Sequence, residues 1–286
     1  MKLLSKSTLL LVSAAMLMTS CSNDTDEVRI TEQSLSGYFN VVTNLNTGES
    51  EIFNGVSYNV LYNYDLATSV ITMSGLKLPG NVSYPSMRTG ELKWTADQDG
   101  WKNISQSSVM LSAVNFANVP EINDFVFNLR DRWYDDDAYA CSTIIHFIVD
   151  DTYRVVSIPL QTIVWGVTTV KYHNSFVGEY STDDSVYVIE LDPETGRANL
   201  TINDFSLSDE QEILAVVIKD IPFAIDKNGA LTLTKDEASA TILGAHDPSA
   251  TKMAVKNFKM VVKGGSVDAS YRVIDNNETY DVTVKG

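Results

Sequence analysis

Histidine and cysteine are nearly missing from this chain, with 3 His and 2 Cys in 286 residues. A zinc site or a nucleophile–histidine pair needs several such side chains converging, so little material exists for either. Cys21 and Cys141 are also too few for a disulfide framework. Positive charge is scarce as well: 21 Lys and Arg stand against 37 Asp and Glu, a net of −16. Recognition of phosphates needs a basic face, which excludes a nucleic-acid binder. Also absent are a Gly-x-Ser-x-Gly elbow, a His-Glu-x-x-His helix, a glycine-rich phosphate loop and a Cys-x-x-Cys pair. On these grounds no cofactor is expected, and the protein reads as a non-enzyme. The remaining composition is ordinary for a globular protein, 44% hydrophobic and 20% charged, and the length suits one large domain or two average ones.

Lys2 and Lys6 precede an apolar stretch, Ser7–Met18, that matches a signal-peptide core and falls short of the ~20 residues of a membrane span. Leu17-Met18-Thr19-Ser20-Cys21 then resembles the lipobox of bacterial lipoproteins. The resemblance implies cleavage after residue 20 and attachment of diacylglycerol to the Cys21 thiol. The run Ser22-Asn23-Asp24-Thr25-Asp26-Glu27 is similar to the acidic export signal of Bacteroidetes surface lipoproteins. It implies an outer-membrane, lipid-anchored protein displayed on the cell surface, with residues 21–33 as an acidic tether. Lipidation of Cys21 leaves Cys141 alone, a small hydrophobe in a β-like run.

Beyond the tether, short runs rich in Val, Ile, Thr, Tyr and Phe recur between Gly, Asn and Asp clusters, which is an all-β signature. Asp226-Lys227-Asn228-Gly229 and Asp275-Asn276-Asn277-Glu278 suit hairpin loops, and Ser208–Glu212 is the best short helix candidate. The chain also repeats itself. With Tyr58 placed over Tyr187, Thr72 falls on Thr201, Leu78 on Leu207, Asp97 on Asp226 and Gly100 on Gly229. Residues 79–91 show no convincing match. Further on, Asn115-Phe116 pairs with Asn257-Phe258, and the stretch from His146 with that from Tyr271. Gly37-Tyr38-Phe39 and Gly178-Glu179-Tyr180 open the halves. The expectation is two tandem antiparallel β domains, 34–165 and 172–286, joined within Ile158–Ser175. Phrases such as Thr72–Leu78, Thr201–Leu207 and Val255–Met260, in which a strand ends at a polar or Gly pair and resumes with an apolar residue, resemble the calycin-like lipoproteins of gut Bacteroidetes. That resemblance implies a barrel of about eight strands per copy; an open sandwich uses the same strands.

The most unusual segment is Asp131-Arg132-Trp133-Tyr134-Asp135-Asp136-Asp137-Ala138-Tyr139. Crowded carboxylates suit Ca²⁺, and aromatic faces beside acids suit a sugar. A solvated acidic loop with its rings tucked into a barrel rim is the plainer alternative. Trp133, Tyr134, Asp135 and Asp137 are therefore candidate ligand-binding residues. Trp101 joins them as a second aromatic platform, or else as a contact between the copies. Ser185, in Asp184-Ser185-Val186, fits a short O-glycosylation pattern similar to that of Bacteroidetes envelope proteins. His146 lies in an apolar run and reads as a satisfied sheet-face histidine. Together these residues describe a non-catalytic binding module for a glycan, a small ligand or an envelope protein. An accessory subunit of an outer-membrane complex is the alternative.

Overall fold

The computed structural model describes residues 28–113, 119–133, 139–172, 178–183, 185–208, 211–244, 251–275 and 278–286. The lipobox, Cys21, Tyr134, Asp135 and Asp137 lie outside them, as do the side chain of Trp133 and the Asn115-Phe116 pair. Every regular element among the described residues is a strand. The first sheet contains β1 (Ile30–Asn44), β2 (Ser50–Asn63), β3 (Thr68–Leu78), β4 (Val82–Thr89), β5 (Leu92–Lys93), β6 (Thr95–Ala96), β7 (Lys102–Val109), β8 (Leu111–Ala113), β9 (Ile122–Trp133), β10 (Tyr139–Val149) and β11 (Tyr153–Pro159). The second contains β12 (Gln161–Trp165), β13 (Val167–Tyr172), β14 (Gly178–Thr182), β15 (Val186–Asp192), β16 (Arg197–Ser208), β17 (Gln211–Ile225), β18 (Leu231–Gly244), β19 (Thr251–Lys263), β20 (Ser266–Asp275) and β21 (Glu278–Lys285).

Both sheets are antiparallel and curled. In the first, β1 pairs with β2 on one side and β11 on the other. The ladder runs through β3, the interrupted strand β4–β5–β6, then β7–β8, β9 and β10, and so returns to β11. In the second, β12 starts a ladder through β15 to β21, and β21 pairs with β13, the strand that continues β12. A curled ladder that comes round to its own start shelters the strand edges that an open sandwich would expose.

The repeat is visible bond by bond. Tyr58 faces Met73 and Val60 faces Ile71 in the first sheet; Tyr187 faces Ile202 and Ile189 faces Leu200 in the second. A constant shift, the distance from Tyr58 to Tyr187, also carries Leu76↔Tyr84 onto Phe205↔Ile213, Ser69↔Leu92 onto Ala198↔Ile221, and Thr95↔Asn103 onto Ala224↔Thr232. Residues 79–91 thus share the plan despite their dissimilar sequence: Met87 and Val216 are buried at corresponding places. The turns agree as well. Asp97 Oδ1 accepts from the Asp99 and Trp101 amides, and Asp226 Oδ1 from those of Asn228 and Ala230; Gly100 and Gly229 share a φ of +81°.

Three sequence pairings are corrected. Asn257-Phe258 corresponds to Asp124-Phe125, since Lys102↔Leu129 and Leu231↔Val262 set the register of those strands. Phe147, rather than His146, corresponds to Tyr271, because both face the bulged residue pair of the preceding strand. Gly178 lies opposite Tyr172 at the end of a hairpin, unlike Gly37 inside β1. The proposed helix at Ser208–Glu212 is also replaced: β16 ends at Ser208 and β17 begins at Gln211. Strand pairing outweighs the weak helical bias of acidic residues there. Finally, β12 belongs to the second sheet and β1 begins at Ile30, so the copies cover 30–159 and 161–285 rather than 34–165 and 172–286. Residues 30–33, read as tether, are strand.

The repeated polar–apolar phrases are bulges inside continuous strands, not strand ends. Asp124, Asp204, Asp220 and Asn257 have φ of +47°, +53°, +56° and +52°. Each is followed by a buried apolar residue: Phe125, Phe205, Ile221 and Phe258. A left-handed conformation adds an extra residue to one strand, so the next side chain points inward. It costs about 1–2 kcal/mol for an L-residue, less for Asp or Asn. Burying the following ring contributes about 1.5–3 kcal/mol, so the bulge is favourable on balance. At Gly75, the counterpart of Asp204, an added Cβ would also run into the Gly55 carbonyl of the neighbouring strand.

The two barrels form one packed body. Phe39, Val156 and Ile158 of the first sheet point outward yet are buried, because they join the apolar core of the second. Leu160 joins the copies directly: its amide donates to the Gly37 carbonyl at 2.7 Å, and its carbonyl accepts from the Leu191 amide at 2.8 Å. Replacing Asn257 with Gly should leave stability nearly unchanged, whereas Asn257→Val should lower it by about 1–3 kcal/mol, since a β-branched side chain is strained at positive φ. Urea titration of both variants checks this.

Candidate functional site

The segment that looks most like a site, residues 131–139, sits where the copies differ. In the second barrel the β19–β20 hairpin closes tightly, with Lys263 facing Ser266 around Gly264-Gly265. In the first, the equivalent hairpin continues through Arg130↔Ser142 to Trp133↔Tyr139. Alternation places Asp131 on the inward face, in line with buried Leu129, Phe127 and Phe125.

At this end of the first barrel the interior turns polar. Lys102 Nζ lies 3.0 Å from Asp131 Oδ2, and the two side chains are 18% and 20% exposed. Gln33 Nε2 donates to Asp131 Oδ1 at 2.8 Å and lies 3.8 Å from Cys141 Sγ. The ammonium also stands 4.8 Å from the Tyr62 ring centroid and 5.8 Å from that of Tyr64. Tyr62, Tyr64 and Trp94 meet as a cluster of tilted and edge-on rings. Burial works against the Lys102 charge, but the Asp131 carboxylate and the Tyr64 hydroxyl together offset it and hold the lysine above its ordinary pKa. The Tyr62 hydroxyl is buried without a hydrogen-bond partner, and burial, followed by the Asp131 charge, raises the phenol well above its usual range. The second barrel places Leu191, Phe223 and Leu231 at the positions of Tyr62, Trp94 and Lys102. Two of these, Leu191 and Leu231, are buried. One copy closes this end with hydrocarbon and the other with an ion pair ringed by aromatics.

The barrel interiors are filled. In the first, Tyr58, Phe125, Phe127 and Phe147 pack ring to ring. The Tyr58 hydroxyl is bonded to Ser157, whose Oγ lies 2.6 Å from Asn40 Oδ1. In the second, the Tyr187 hydroxyl lies 2.6 Å from Thr168 Oγ1. Burial pushes the Tyr187 phenol up to about 12, and that of Tyr58 higher still, so both stay neutral hydrogen-bonding groups. These tyrosines anchor the sequence repeat because each buries its hydroxyl against a polar side chain, Ser157 of β11 for Tyr58 and Thr168 of β13 for Tyr187.

Trp101 is half-buried and serves the joint between the barrels. Its ring lies under the Arg130 guanidinium at 4.9 Å, and a Cβ on Gly264 of the second barrel would approach its Cη2 to 3.3 Å. Ser185 is fully buried and donates to the Asp204 carbonyl at 3.1 Å, which overturns its reading as a glycosylation site. Cys141 is a partly buried thiol facing Gln33 Nε2 at 3.8 Å. His146 is a sheet-face residue, but it is not satisfied: Nδ1 is buried without a partner. Burial and then the Arg154 and Lys263 charges lower its pKa, against the opposing Asp124.

A second feature had no signal in the sequence. The β17–β18 ladder loses register between Val217 and Phe223, and an open cleft of about 690 Å³ lies there. Arg197, Asp220, Pro222, Thr234, Lys235 and Asp236 line it. Lys235 Nζ donates to the Lys219 and Asp220 carbonyls at 2.8 and 3.0 Å, replacing missing ladder bonds. Among the described residues no His, Cys, Asp and Glu side chains gather as a metal site.

Replacing Lys102 with Met should cost about 1–2 kcal/mol, between the values for surface and buried pairs, because Asp131 keeps its charge in a half-buried place. Lys102→Met with Asp131→Asn should recover part of that loss in chemical denaturation. The lowered His146 pKa means that the unfolded chain takes up the proton first. Its contribution to stability is therefore present above about pH 6.5 and lost as pH falls through the lower folded value. His146→Gln should flatten the drop in urea midpoint as pH falls below about 6.5.

No family model matches the chain, and no characterised protein or solved structure is significantly similar to it.

Proposed function

We propose that this protein is a lipid-anchored, surface-displayed binding module without catalytic activity, held in the outer membrane through Cys21. Its ligand class is polar and hydroxyl-rich, a glycan of the envelope or its surroundings. The reading is supported by the contrast between the copies. The first barrel has Tyr62, Trp94 and Lys102, with Asp131 paired to the ammonium and Gln33 to that carboxylate, where the second has Leu191, Phe223 and Leu231. An ion pair in this setting contributes less to stability than a hydrocarbon plug would, so retaining it points to recognition. Aromatic faces beside a carboxylate and an ammonium supply both stacking and hydrogen-bonding partners for a sugar ring. The filled interiors do not favour a small apolar ligand held inside a barrel. The alternative, an accessory subunit of an outer-membrane complex, draws support from the direct join at Leu160 and the shared core, which make the two barrels a stiff spacer.

The fragment beginning at residue 22 is the reagent. On a glycan array it should retain a defined set of sugars, and Lys102→Leu with Asp131→Leu should lose them while folding normally. Equal retention by the fragment and the double variant would remove this end of the barrel as the site. Retention of no glycan would favour the accessory role.

A further inference from the structure

We propose that the cleft between β17 and β18 of the second barrel binds a sugar unit bearing a carboxylate, a uronic acid, through the Arg197 guanidinium. The site lies on the other barrel from the Lys102–Asp131 pair and does not depend on the reading given to that pair.

The opening belongs to the plan of both copies. β17 meets β18 at Val217↔Thr241 and again at Phe223↔Leu233, leaving residues 218–222 and 234–240 splayed apart. The first barrel opens at the same place, between Thr89↔Leu111 and Thr95↔Asn103. The lining is what differs. Arg197, Lys235 and Asp236 stand where the registers put Thr68, Gln106 and Ser107 in the first barrel. Lys235 has a structural task, bracing the opening through the Lys219 and Asp220 carbonyls. Arg197 and Asp236 have none of that kind. Both are exposed, and among the described residues neither side chain makes a hydrogen bond or an ion pair. Asp192 stands opposite Arg197 in the ladder, but its Oδ1 accepts from the Glu194 and Thr195 amides of its own turn.

This set of groups selects a ligand class. A guanidinium is a planar fork that matches a carboxylate with two parallel hydrogen bonds. Asp220 on β17 and Asp236 on β18 face the same space. Carboxylates accept from sugar hydroxyls, and together with the net charge of −16 they oppose a polyanion. Thr234 adds a hydroxyl, and β18 keeps its ladder to β19 while its other edge has no ladder partner from Thr234 to Ala240. One carboxylate set among hydroxyls satisfies this lining, and about 690 Å³ is ample for a sugar ring.

The test titrates the chain from residue 22, which holds both barrels, with methyl glucuronide, methyl glucoside or acetate, followed by amide NMR shifts. The glucuronide should shift the amides of residues 218–221 and 234–237 and bind about tenfold more tightly than either of the others. Arg197→Gln, at an exposed position, should weaken glucuronide binding about tenfold, whereas Lys227→Gln, which removes the same charge from the same barrel, should leave it unchanged. Absence of shifts, shifts confined to the first barrel, equal binding of the three probes, or undiminished binding by Arg197→Gln would each overturn the site. Because the shifts identify the barrel, failure here is seen apart from any failure of the Lys102 end to bind glycans.

Discussion

The fold depends on a single local device, a left-handed residue inside a strand that turns the following side chain inward. A long strand bent around a small barrel does not keep a strict in–out alternation along its length. An extra residue restores the inward aim where curvature would otherwise spoil it. Asp204 before Phe205, Asp220 before Ile221 and Asn257 before Phe258 do this in the second barrel; Gly75 before Leu76 and Asp124 before Phe125 do it in the first. Short polar residues suit the position because they tolerate φ above zero at lower cost. The large buried rings therefore depend on small polar neighbours that themselves bury little.

The two copies share a plan and few residues, and their differences are as informative as their agreement. The second copy closes with Gly264-Gly265 where the first extends a hairpin, and that tight turn seats against Trp101 and Ile144 of the first barrel. Glycine is needed there for contact as well as for conformation. The outer wall of the first barrel is thereby buried by the second, which explains why Val155 and Val156, adjacent on one strand, are both buried. Duplication has given the molecule a joint as well as a second domain.

Much of this was legible in the sequence where the repeat kept its chemistry. Tyr58 and Tyr187, Asp97 and Asp226, and Gly100 and Gly229 could be paired because a buried hydroxyl, an Asx-type turn and a positive φ each restrict the residue type. Residues 79–91 could not be paired, because Tyr84 and Ile213, or Met87 and Val216, need only be apolar. Asn257-Phe258 was matched to Asn115-Phe116 on identity, yet the structural requirement is for any residue that tolerates φ above zero before a ring, and Asp124-Phe125 meets it. The Lys102–Asp131 pair was hidden because its partners lie on separate strands and neither belongs to a motif. Trp101 was visible as an unusual aromatic, but its role follows from a glycine turn more than 160 positions away.

The place of β1 in its ladder has a mechanical consequence. β1 is bonded along its length to β2 and, over its second half, to β11, and the chain enters it at Ile30. A pull on the backbone at Arg29 acts along the strand and loads many lateral bonds together, as shear, instead of peeling them apart one at a time. Rupture then requires a whole row of bonds to slip at once. A barrel entered through such a strand resists drag in flowing surroundings far better than its equilibrium stability alone would indicate.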